Sequence, residues 1–492
     1  METSRYTERV NIPFKISQLI LILGLGGIGI SLLYNSIPVF ILISLIPLLC
    51  VGSILLLRYP WFILFVIFTI NYLILGISRY VSVEGISVIM EILYVLALVL
   101  IFIQAALFQN IEWRRAINIL SITLCVWTGY CILEIINPTA SLEGWILSRG
   151  LIFNGLIIVV ITSLLCTRYS ILKAIIFCLS IFTLLAIVKT LIQYIIGFDS
   201  YETKWLNEGG ATTHIIWSGT RYFSFFTDAS NMGANMGAAS MFFGIAAFHM
   251  RSIACRIYYL CVAILALYAM FLSGTRGAMV VPLAGLALYT LVSKQTRAII
   301  GGASMLLFIY VFFAFTTIGE GNSSIRRMRT AFNPTKDASY IVRKENQRKL
   351  ATYLKHKPFG EGLGLSGDGL GVKVSRRFTT SIPTDSWYVK IWVETGIVGL
   401  ILYLGMIFSA IGWGGWIIAK RIKDLELKGL LSGLLCGIFG MFINAYTNSF
   451  WGQFPTMIIA LMGLTFVLNG PYFDKDIDCL LYTSPSPRDM RR

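Results

Sequence analysis

The residues best suited to chemistry in this chain are arginines that lie beside membrane-length apolar runs. Arg221 opens the segment 221–228, just before the apolar run that starts near Ala229, and Arg276 lies in the tight turn Ser-Gly-Thr-Arg-Gly-Ala at 273–278. Both arginines are candidates for substrate binding, with Asp228 as a further candidate. An isolated arginine at a membrane boundary also snorkels towards the headgroups, and this alternative stays open for each.

A strongly basic stretch supports the same interpretation. Residues 319–387, called the basic loop below, form the only long polar stretch among the apolar runs, and their net charge is +7 from 13 basic and 6 acidic residues. Arg343 and Lys357 are the candidates for ligand binding within it. A cationic loop over one face of a membrane protein indicates an anionic substrate at that face.

The segment 355–364 (KHKPFGEGLG) follows a predicted helix at 338–356 and contains His356. Its three alternating glycines allow close approach of a ligand and leave backbone N–H groups available to anions. A simple helix stop and turn explains the same residues equally well.

The polar loop becomes an apolar run at 384–400. Asp385 or Ser386 is well placed to cap a helix that begins there. Lys390 and Glu394 are four residues apart, so they share a helix face and are expected to pair.

Lys189 lies within an apolar run. Ionisable groups at membrane depth are costly and indicate either a functional role, here substrate binding, or a paired charge. Glu134 and Glu91 are the structural partners that the sequence offers.

Composition sets the class of protein. Of 492 residues, 57% are hydrophobic and 13% charged, against about 25% charged in soluble domains. We therefore predict an all-α polytopic membrane protein with about 12–14 transmembrane helices and one large, partly helical loop outside the cytoplasm. The fourteen apolar runs are 16–34, 38–57, 60–78, 86–108, 116–136, 147–166, 171–196, 229–249, 254–273, 277–293, 298–318, 388–417, 427–447 and 454–470.

These runs predict a membrane region at 1–318, the basic loop at 319–387, further transmembrane helices at 388–470 and a tail at 471–492. The last fourteen residues, CLLYTSPSPRDMRR, resemble adapter-derived sequence and are excluded from the fold prediction.

Basic residues predict the orientation. With the N-terminus in the cytoplasm, the short inner loops are rich in Lys and Arg, as the insertion rule expects, and the C-terminus is cytoplasmic too. The loops 197–228, 274–276, 319–387 and 448–453 then share the outer face. The charge of the basic loop therefore calls for a functional reason.

Other classes find little support. The nine cysteines include no CxxC spacing, which argues against a zinc site or a disulfide framework. No metal, cofactor or cleavable signal peptide is expected. The net charge of +16 has no soluble basic domain to carry it, so nucleic acid is not an expected partner.

Together these motifs resemble the O-antigen ligase and polymerase superfamily of bacterial envelope glycosyltransferases, most clearly over 215–405. Three elements match: Arg221 before a span, Ser-x-x-Arg-Gly-Ala around Arg276, and His-x-Pro-hydrophobic-Gly-x-Gly-x-Gly at 356–364. The fourth is the ligase signature of a histidine, a small polar residue, nine residues and Gly-x-x-Gly. Its later part fits Ser386, residues 387–395, Gly396 and Gly399.

The chain departs from that signature at the histidine, where it has Asp385. Ligases resembling this family use the histidine as the candidate base when they transfer a finished glycan to lipid A core. The departure favours the polymerase branch, or a related capsule or exopolysaccharide enzyme.

The resemblance implies that two glycans linked to undecaprenyl pyrophosphate, a donor and an acceptor, react at the outer face of the bacterial inner membrane, without metal or nucleotide. Arg221 and Arg276 would hold the pyrophosphate, helped by Arg343 or Lys357. Asp385 is the first candidate for general base and His356 the second, unless Asp385 only caps the helix. A chain-length regulator protein is left open as a partner, beside the bilayer itself.

Two rivals remain. A ligase shares the donor and the membrane face and differs in its acceptor. A lipid-linked glycan flippase or other transporter would also use charges for pyrophosphate, but transporters usually have paired halves. We find no internal repeat, and the polar residues are concentrated on one side.

Overall fold

A computed structural model describes residues 52–81, 85, 87–216, 219–293, 296–319, 321, 323–329, 338–367 and 370–483. The chain divides into two compact units, Met1–Ile63 and Leu64–Arg492, and the site described below lies within the second.

Most of the described residues are helical, as apolar runs of this length require in a membrane. The helices are α1 (Phe62–Tyr80), α2 (Val88–Ile103), α3 (Ile119–Leu133), α4 (Leu142–Leu147), α5 (Gly155–Leu165), α6 (Tyr169–Ile195), α7 (Ser200–Trp205), α8 (Ala211–His214), α9 (Ala229–His249), α10 (Ile253–Leu272), α11 (Val280–Ser293), α12 (Thr296–Phe315), α13 (Ser323–Arg329), α14 (Ala338–Leu354), α15 (Leu370–Val374), α16 (Phe378–Ser381), α17 (Trp387–Lys420), α18 (Leu425–Asn444), α19 (Thr456–Leu468) and α20 (Gly470–Thr483).

Short helical turns extend or link several of these helices. The 3₁₀ turns are Trp113–Ala116, Glu134–Ile136 and Arg276–Met279, and the π turns are Gln104–Phe108, Gly150–Asn154 and Leu206–Gly210. The strands β1 (Ile215–Ile216) and β2 (Gly219–Thr220) form an antiparallel hairpin with Ile215 opposite Thr220 and Ile216 opposite Gly219.

The predicted all-α polytopic membrane fold is confirmed. Within the described residues, eight helices are long and apolar enough to cross a membrane, or nine if α19 and the bent helix after it form one span. The eight are Phe62–Tyr80, Val88–Phe108, Ile119–Ile136, Tyr169–Ile195, Ile253–Leu272, Arg276–Ser293, Trp387–Lys420 and Leu425–Asn444.

This number is below the fourteen predicted spans. The first two lie outside the described residues, apart from residues 52–57, while the other twelve runs each coincide with a helix. Over the run 147–166 the apolar helix spans only Gly150–Leu165. Helix α9 is long enough, but its first half (ASNMGANMGAAS) is small and polar, so it is not among the eight. Residues 479–483 of the excluded tail continue α20.

Helix α9 lies at the centre of the fold. Most of its residues are buried, and it packs against α10 and α18. Helix α18 presents Gly429, Gly433 and Gly437 to it at four-residue spacing, facing His249, Phe242 and Ala238. Small residues let membrane helices approach closely, so this pair forms a rigid support for the loops at their ends.

The basic loop is anchored to α17. Helix α14 buries Leu350 and Leu354 against Val389 and Val393 of α17, together with Ile382. The loop is partly helical over its described residues (α13 to α16), in agreement with the prediction, and α14 coincides with the helix predicted at 338–356.

Candidate active site

Arg221 follows the β-hairpin, and its guanidinium makes contacts within the protein. Its backbone N–H donates to the carbonyl oxygen of His214 at 2.8 Å. Nη1 donates to the carbonyl oxygen of Thr213 (2.9 Å), and Nη2 donates to Thr275 Oγ1 (2.8 Å) and Ser230 Oγ (3.4 Å). A snorkelling side chain reaches away from such partners. The structure therefore does not support a membrane-anchor role for Arg221.

The turn that carries Arg276 wraps around Arg221. Gly274 has a φ of +59°, and a Cβ added there would lie 3.2 Å from Cγ of Arg221. Gly277 packs on its other side against Thr447 and against Asn448, whose Nδ2 would lie 2.9 Å from an added Cβ. The two glycines thus position Arg276 beside both Arg221 and the loop that follows α18.

Arg221, Arg276 and Arg343, called the arginine cluster below, act on one another electrostatically. Burial lowers the pKa of Arg221; the Asp228 carboxylate opposes this effect, and the positive charges of Arg276 and Arg343 add to it. A cation disfavoured by burial and by two like charges is stabilised when an anion binds beside it. The cluster therefore has the electrostatics of an anion site.

Arg343 joins the cluster to Asp385. It projects from α14, donates from Nη1 to the carbonyl oxygen of Thr447 (2.9 Å), and its Nε lies 3.9 Å from Oδ2 of Asp385. The loop that contains Thr447 also receives Gly277, so the structure brings all three arginines and Asp385 to one region.

Asp385 does not cap α17. The N-cap is Ser386, whose side chain makes no capping hydrogen bond. Asp385 itself has a φ of +49°, a left-handed conformation that is uncommon outside glycine and is found most often in Asn and Asp. Its side chain is 41% exposed. The capping alternative is therefore wrong for Asp385, and the role of base stays a prediction.

A cavity of about 910 Å³ lies next to Asp385, and we call it the acidic-rim cavity. Its walls come from α2, the segment 147–154, the start of α17 and the loop 449–457. The charged residues that line it are Glu91, Arg149, Asp385, Lys390 and Glu394. Arg343 is not among the lining residues, so Asp385 lies between the arginine cluster and this cavity.

Two other predicted binding residues have structural partners instead. The Asp228 carboxylate caps α9 by accepting from the N–H groups of Ser230 (2.7 Å) and Asn231 (3.0 Å). Lys189 is paired with Asp199 and Glu202, each at 3.0 Å.

The partners expected for Lys189 were wrong. Glu91 pairs with Arg149, and Glu134 accepts from Asn137 at 3.1 Å. The acids that Lys189 contacts, Asp199 and Glu202, lie just beyond the end of its own helix.

The remaining candidates lie in another part of the basic loop. Lys357 Nζ contacts Glu361 Oε2 (2.6 Å) and Tyr353 OH (2.8 Å), and the buried Glu361 carboxylate also accepts from Arg377 (3.1 Å). Burial lowers the pKa of Lys357, but its hydrogen bonds to Glu361 and Tyr353 outweigh that effect and raise it overall. Lys357 therefore holds the loop together, and among the described residues none of its contacts reaches the arginine cluster.

His356 is exposed, and no hydrogen bond is recorded between its side chain and the described residues. Its role as the second candidate base stays a prediction.

Comparison with known proteins identifies a family match in the second half of the chain. Residues 261–404 match the family model of the O-antigen ligases. No curated protein matches the chain. The resemblance to the O-antigen ligase and polymerase superfamily is confirmed over this segment, and it implies a membrane glycosyltransferase-like activity on lipid-linked glycans. The matched segment contains Arg276, Arg343 and Asp385, whereas Arg221 lies before it.

Within the matched segment 261–404, the glycine-rich segment 356–364 packs against Gly396, the first glycine of the ligase signature. At Gly396 the axis of α17 is interrupted, with φ +67° and ψ −172°, a conformation essentially restricted to glycine. The residues around Gly360 pack against this kink: Glu361 N–H donates to the carbonyl oxygen of Val393 (2.9 Å), and Gly362 N–H donates to that of Glu394 (3.1 Å). The amides of Glu361 and Gly362 bind the protein's own backbone and are therefore not available to an anion.

Sequence reasoning overlooked one wall of the acidic-rim cavity. Arg149 Nε lies 2.8 Å from Glu91 Oε1, and Arg149, like Arg221, stands at the predicted outer end of a span. This position at the end of a span was the feature of the sequence that could have marked Arg149 as a candidate site residue. The expected Lys390–Glu394 pair is present at 3.9 Å, and Ser366 Oγ donates to the fully buried Glu394 at 2.5 Å. Nothing in the spacing indicated that this pair lines a cavity.

Proposed function

We propose that this protein polymerises repeat units of O-antigen, capsule or exopolysaccharide that are linked to undecaprenyl pyrophosphate, at the outer face of the bacterial inner membrane. The observation that carries the proposal is the position of Asp385, between the arginine cluster and a cavity of about 910 Å³. A glycosyl transfer needs an anion site for the leaving group, a base, and room for a sugar, in that spatial order.

The arginine cluster suits the leaving group. Pyrophosphate gains negative charge as its bond to the sugar breaks, and pre-positioned cations stabilise that charge most strongly in the transition state. Arg221 is held by three hydrogen bonds, so it needs little rearrangement to bind. Arg276 and Arg343 are the other two ligands in this proposal.

The reaction balances without further reagents. A hydroxyl oxygen of the acceptor sugar forms a bond to the anomeric carbon of the donor. The bond between that carbon and the pyrophosphate oxygen breaks, and its electron pair leaves with undecaprenyl pyrophosphate. The hydroxyl proton passes to the Asp385 carboxylate, which acts as general base.

Asp385 also favours polymerisation over ligation, because the ligase signature has a histidine at this position. The second candidate function is ligation of a lipid-linked glycan to lipid A core, and the description of the matched family as O-antigen ligase favours it. In both functions the termini lie in the cytoplasm and the basic loop in the periplasm. A chain-length regulator protein is a further proposed partner of the polymerase.

Reconstitution tests the proposal. The full chain in liposomes receives undecaprenyl pyrophosphate-linked repeat units, and the products are resolved by gel electrophoresis. A ladder of lengthening glycans with release of undecaprenyl pyrophosphate supports a polymerase. If glycan transfer occurs only after lipid A core is added, the protein is a ligase. If neither product forms from a competent donor, the proposed function is wrong.

A further inference from the structure

We infer that the acidic-rim cavity is the binding site for the acceptor saccharide and that the Glu91–Arg149 ion pair on its wall recognises that saccharide. This inference rests on the proposed function. It assigns a substrate specificity role to two residues that lie outside the matched segment 261–404.

The ion pair is accessible from the cavity. Glu91 lies in the first turn of α2, and Arg149 directly precedes the π turn Gly150–Asn154. Both residues line the cavity, and the side chain of Glu91 is 32% exposed and that of Arg149 36% exposed. An ion pair that is partly exposed contributes only about 0–1 kcal/mol to stability, so stabilisation of helix packing alone is a weak reason for its presence. This one keeps a third of each side chain free for hydrogen bonding to a ligand.

Charge separates the two parts of the site. The arginine cluster has three cations, and the recorded carboxylates beside it are Asp228, which caps α9, and Asp385. In the cavity the charges nearly balance: Glu91 pairs with Arg149 and Glu394 with Lys390. Asp385 is the fifth charged residue that lines it. A pyrophosphate is attracted to the first environment. A sugar without phosphate, rich in hydroxyl groups, suits the second because it offers donors and acceptors without net charge.

The remaining walls fit the same ligand. Ser148, Asn154 and Ser449 contribute hydroxyl and amide groups, and Trp387 contributes an aromatic ring. Ligand sites are typically clefts of about 300–1,000 Å³ in which a few polar groups fix the orientation of the ligand. A cavity of about 910 Å³ lies at the upper end of that range, as expected for more than one sugar ring.

The arrangement also gives the acceptor a direction. Asp385 lies on the rim towards the arginine cluster, so the reacting hydroxyl must be presented there. Glu91 and Arg149 lie on α2 and the segment 147–154, and would contact sugar groups other than the one that reacts. They would therefore act as specificity residues, and their loss should weaken acceptor binding more than it slows the reaction.

The experiment uses the full chain in liposomes with two substrates varied independently. The donor is the undecaprenyl pyrophosphate-linked repeat unit, and the acceptor probe is the same repeat unit carrying a fluorescent aglycone in place of the lipid pyrophosphate. For Glu91→Gln and Arg149→Ala we expect the KM for the probe to rise about 10-fold or more, as for loss of a charged hydrogen bond. The KM for the donor should stay within about twofold.

Glu112→Gln is the matched control, because it breaks an ion pair with Arg115 (2.9 Å) by the same chemical change outside the cavity. The double variant Glu91→Arg with Arg149→Glu separates recognition from stability. A recognition role predicts recovered thermal stability with a KM for the probe that stays raised. Recovery of both would show that the pair is merely structural and would overturn the inference.

The outcomes are distinguishable. If the wild-type protein extends the probe and the Glu91 and Arg149 variants behave like Glu112→Gln, the inference is wrong while the proposed function stands. If these variants raise the KM for the donor instead, the cavity holds the donor glycan and the inference is wrong. If the wild-type protein neither extends the probe nor releases undecaprenyl pyrophosphate, the proposed function itself fails.

Discussion

Nε of Arg343 lies 3.9 Å from Oδ2 of Asp385, although the two residues belong to different elements of the basic loop. Arg343 comes from α14, and Asp385 from the turn before α17. The ion pair joins the arginine cluster to the candidate base. A shift of α14 relative to α17 would therefore disturb both parts together.

Replacing Asp385 tests the base. We expect Asp385→Asn and Asp385→Ala each to reduce glycan polymerisation about 100-fold or more, because neither side chain accepts a proton from the acceptor hydroxyl. The initial rate of ladder formation in liposomes measures this. Asp478→Asn, an exposed position in α20, is the matched control. Near-normal activity in both Asp385 variants would remove this residue from the chemistry.

Arg221→Lys tests the need for a guanidinium. Lysine keeps the charge but cannot reproduce the hydrogen bonds to Thr213 and Thr275, so the leaving pyrophosphate loses a rigid partner. We expect kcat for release of undecaprenyl pyrophosphate to fall about 100-fold. Arg256→Lys, at the start of α10, should leave the rate unchanged. Equal rates for Arg221→Lys and the wild-type protein would indicate that Arg221 supplies only diffuse charge.

Gly396→Ala tests the kink in α17. An alanine there would be strained at φ +67°, and its Cβ would overlap the carbonyl oxygen of Pro358. We expect a loss of thermal stability of at least about 2 kcal/mol, in the range typical of residues held in disfavoured backbone regions. Gly405→Ala, on the same helix with open space around it, should be tolerated. Equal melting temperatures for the two variants would contradict the account of the kink.

His214 predicts a pH dependence. Burial lowers its pKa below 6.5, outweighing the opposing effects of the Gly210 carbonyl and Asp228. Its Nε2 accepts from the Ala229 N–H (3.2 Å), which requires an unprotonated nitrogen. The neutral ring therefore contributes stability that is complete above pH 6.5 and is lost as the pH falls through the lowered folded-state pKa.

Thermal unfolding measured from pH 7.5 to 5 checks this. The melting temperature of the wild-type protein should fall below pH 6.5 more steeply than that of His214→Gln, which lacks a titrating group there. Parallel curves for the two proteins would rule out His214 as the origin of the pH dependence.

Reporter fusions test the orientation. Alkaline phosphatase folds only outside the cytoplasm, so a fusion after Lys373 in the basic loop should be active. A fusion after Lys423, between α17 and α18, should be inactive. The reverse pattern would place the site on the cytoplasmic face, where the proposed lipid-linked substrate is not polymerised.

The sequence predicted the helices well because twenty apolar residues in succession have few alternatives in a bilayer. It predicted Arg221 and Arg276 as neighbours through motif resemblance, although 55 positions separate them. Helix α9 shows the limit of composition: its small polar residues lower its hydropathy, yet they are what allow α10 and α18 to pack closely around it.

The missed features depend on contacts between distant residues. The glycines near 360 looked suited to a ligand because the partner that their backbone contacts, the kink at Gly396, is itself invisible in a helical pattern. The partners predicted for Lys189 lie in other spans, whereas Asp199 and Glu202 lie in the loop after its own helix. The sequence does not show that this loop folds back onto Lys189. The residues next to Asp385 in the sequence likewise do not indicate that its backbone is left-handed.

At the kink in α17, the basic loop is attached through main-chain atoms, with the N–H groups of Glu361 and Gly362 donating to the carbonyl oxygens of Val393 and Glu394. This attachment depends on glycine, because Gly360, Gly362 and Gly396 all have positive φ. Exposed side chains elsewhere on the basic loop take no part in these hydrogen bonds, so substitutions there should change the surface of the loop and leave its attachment to α17 intact.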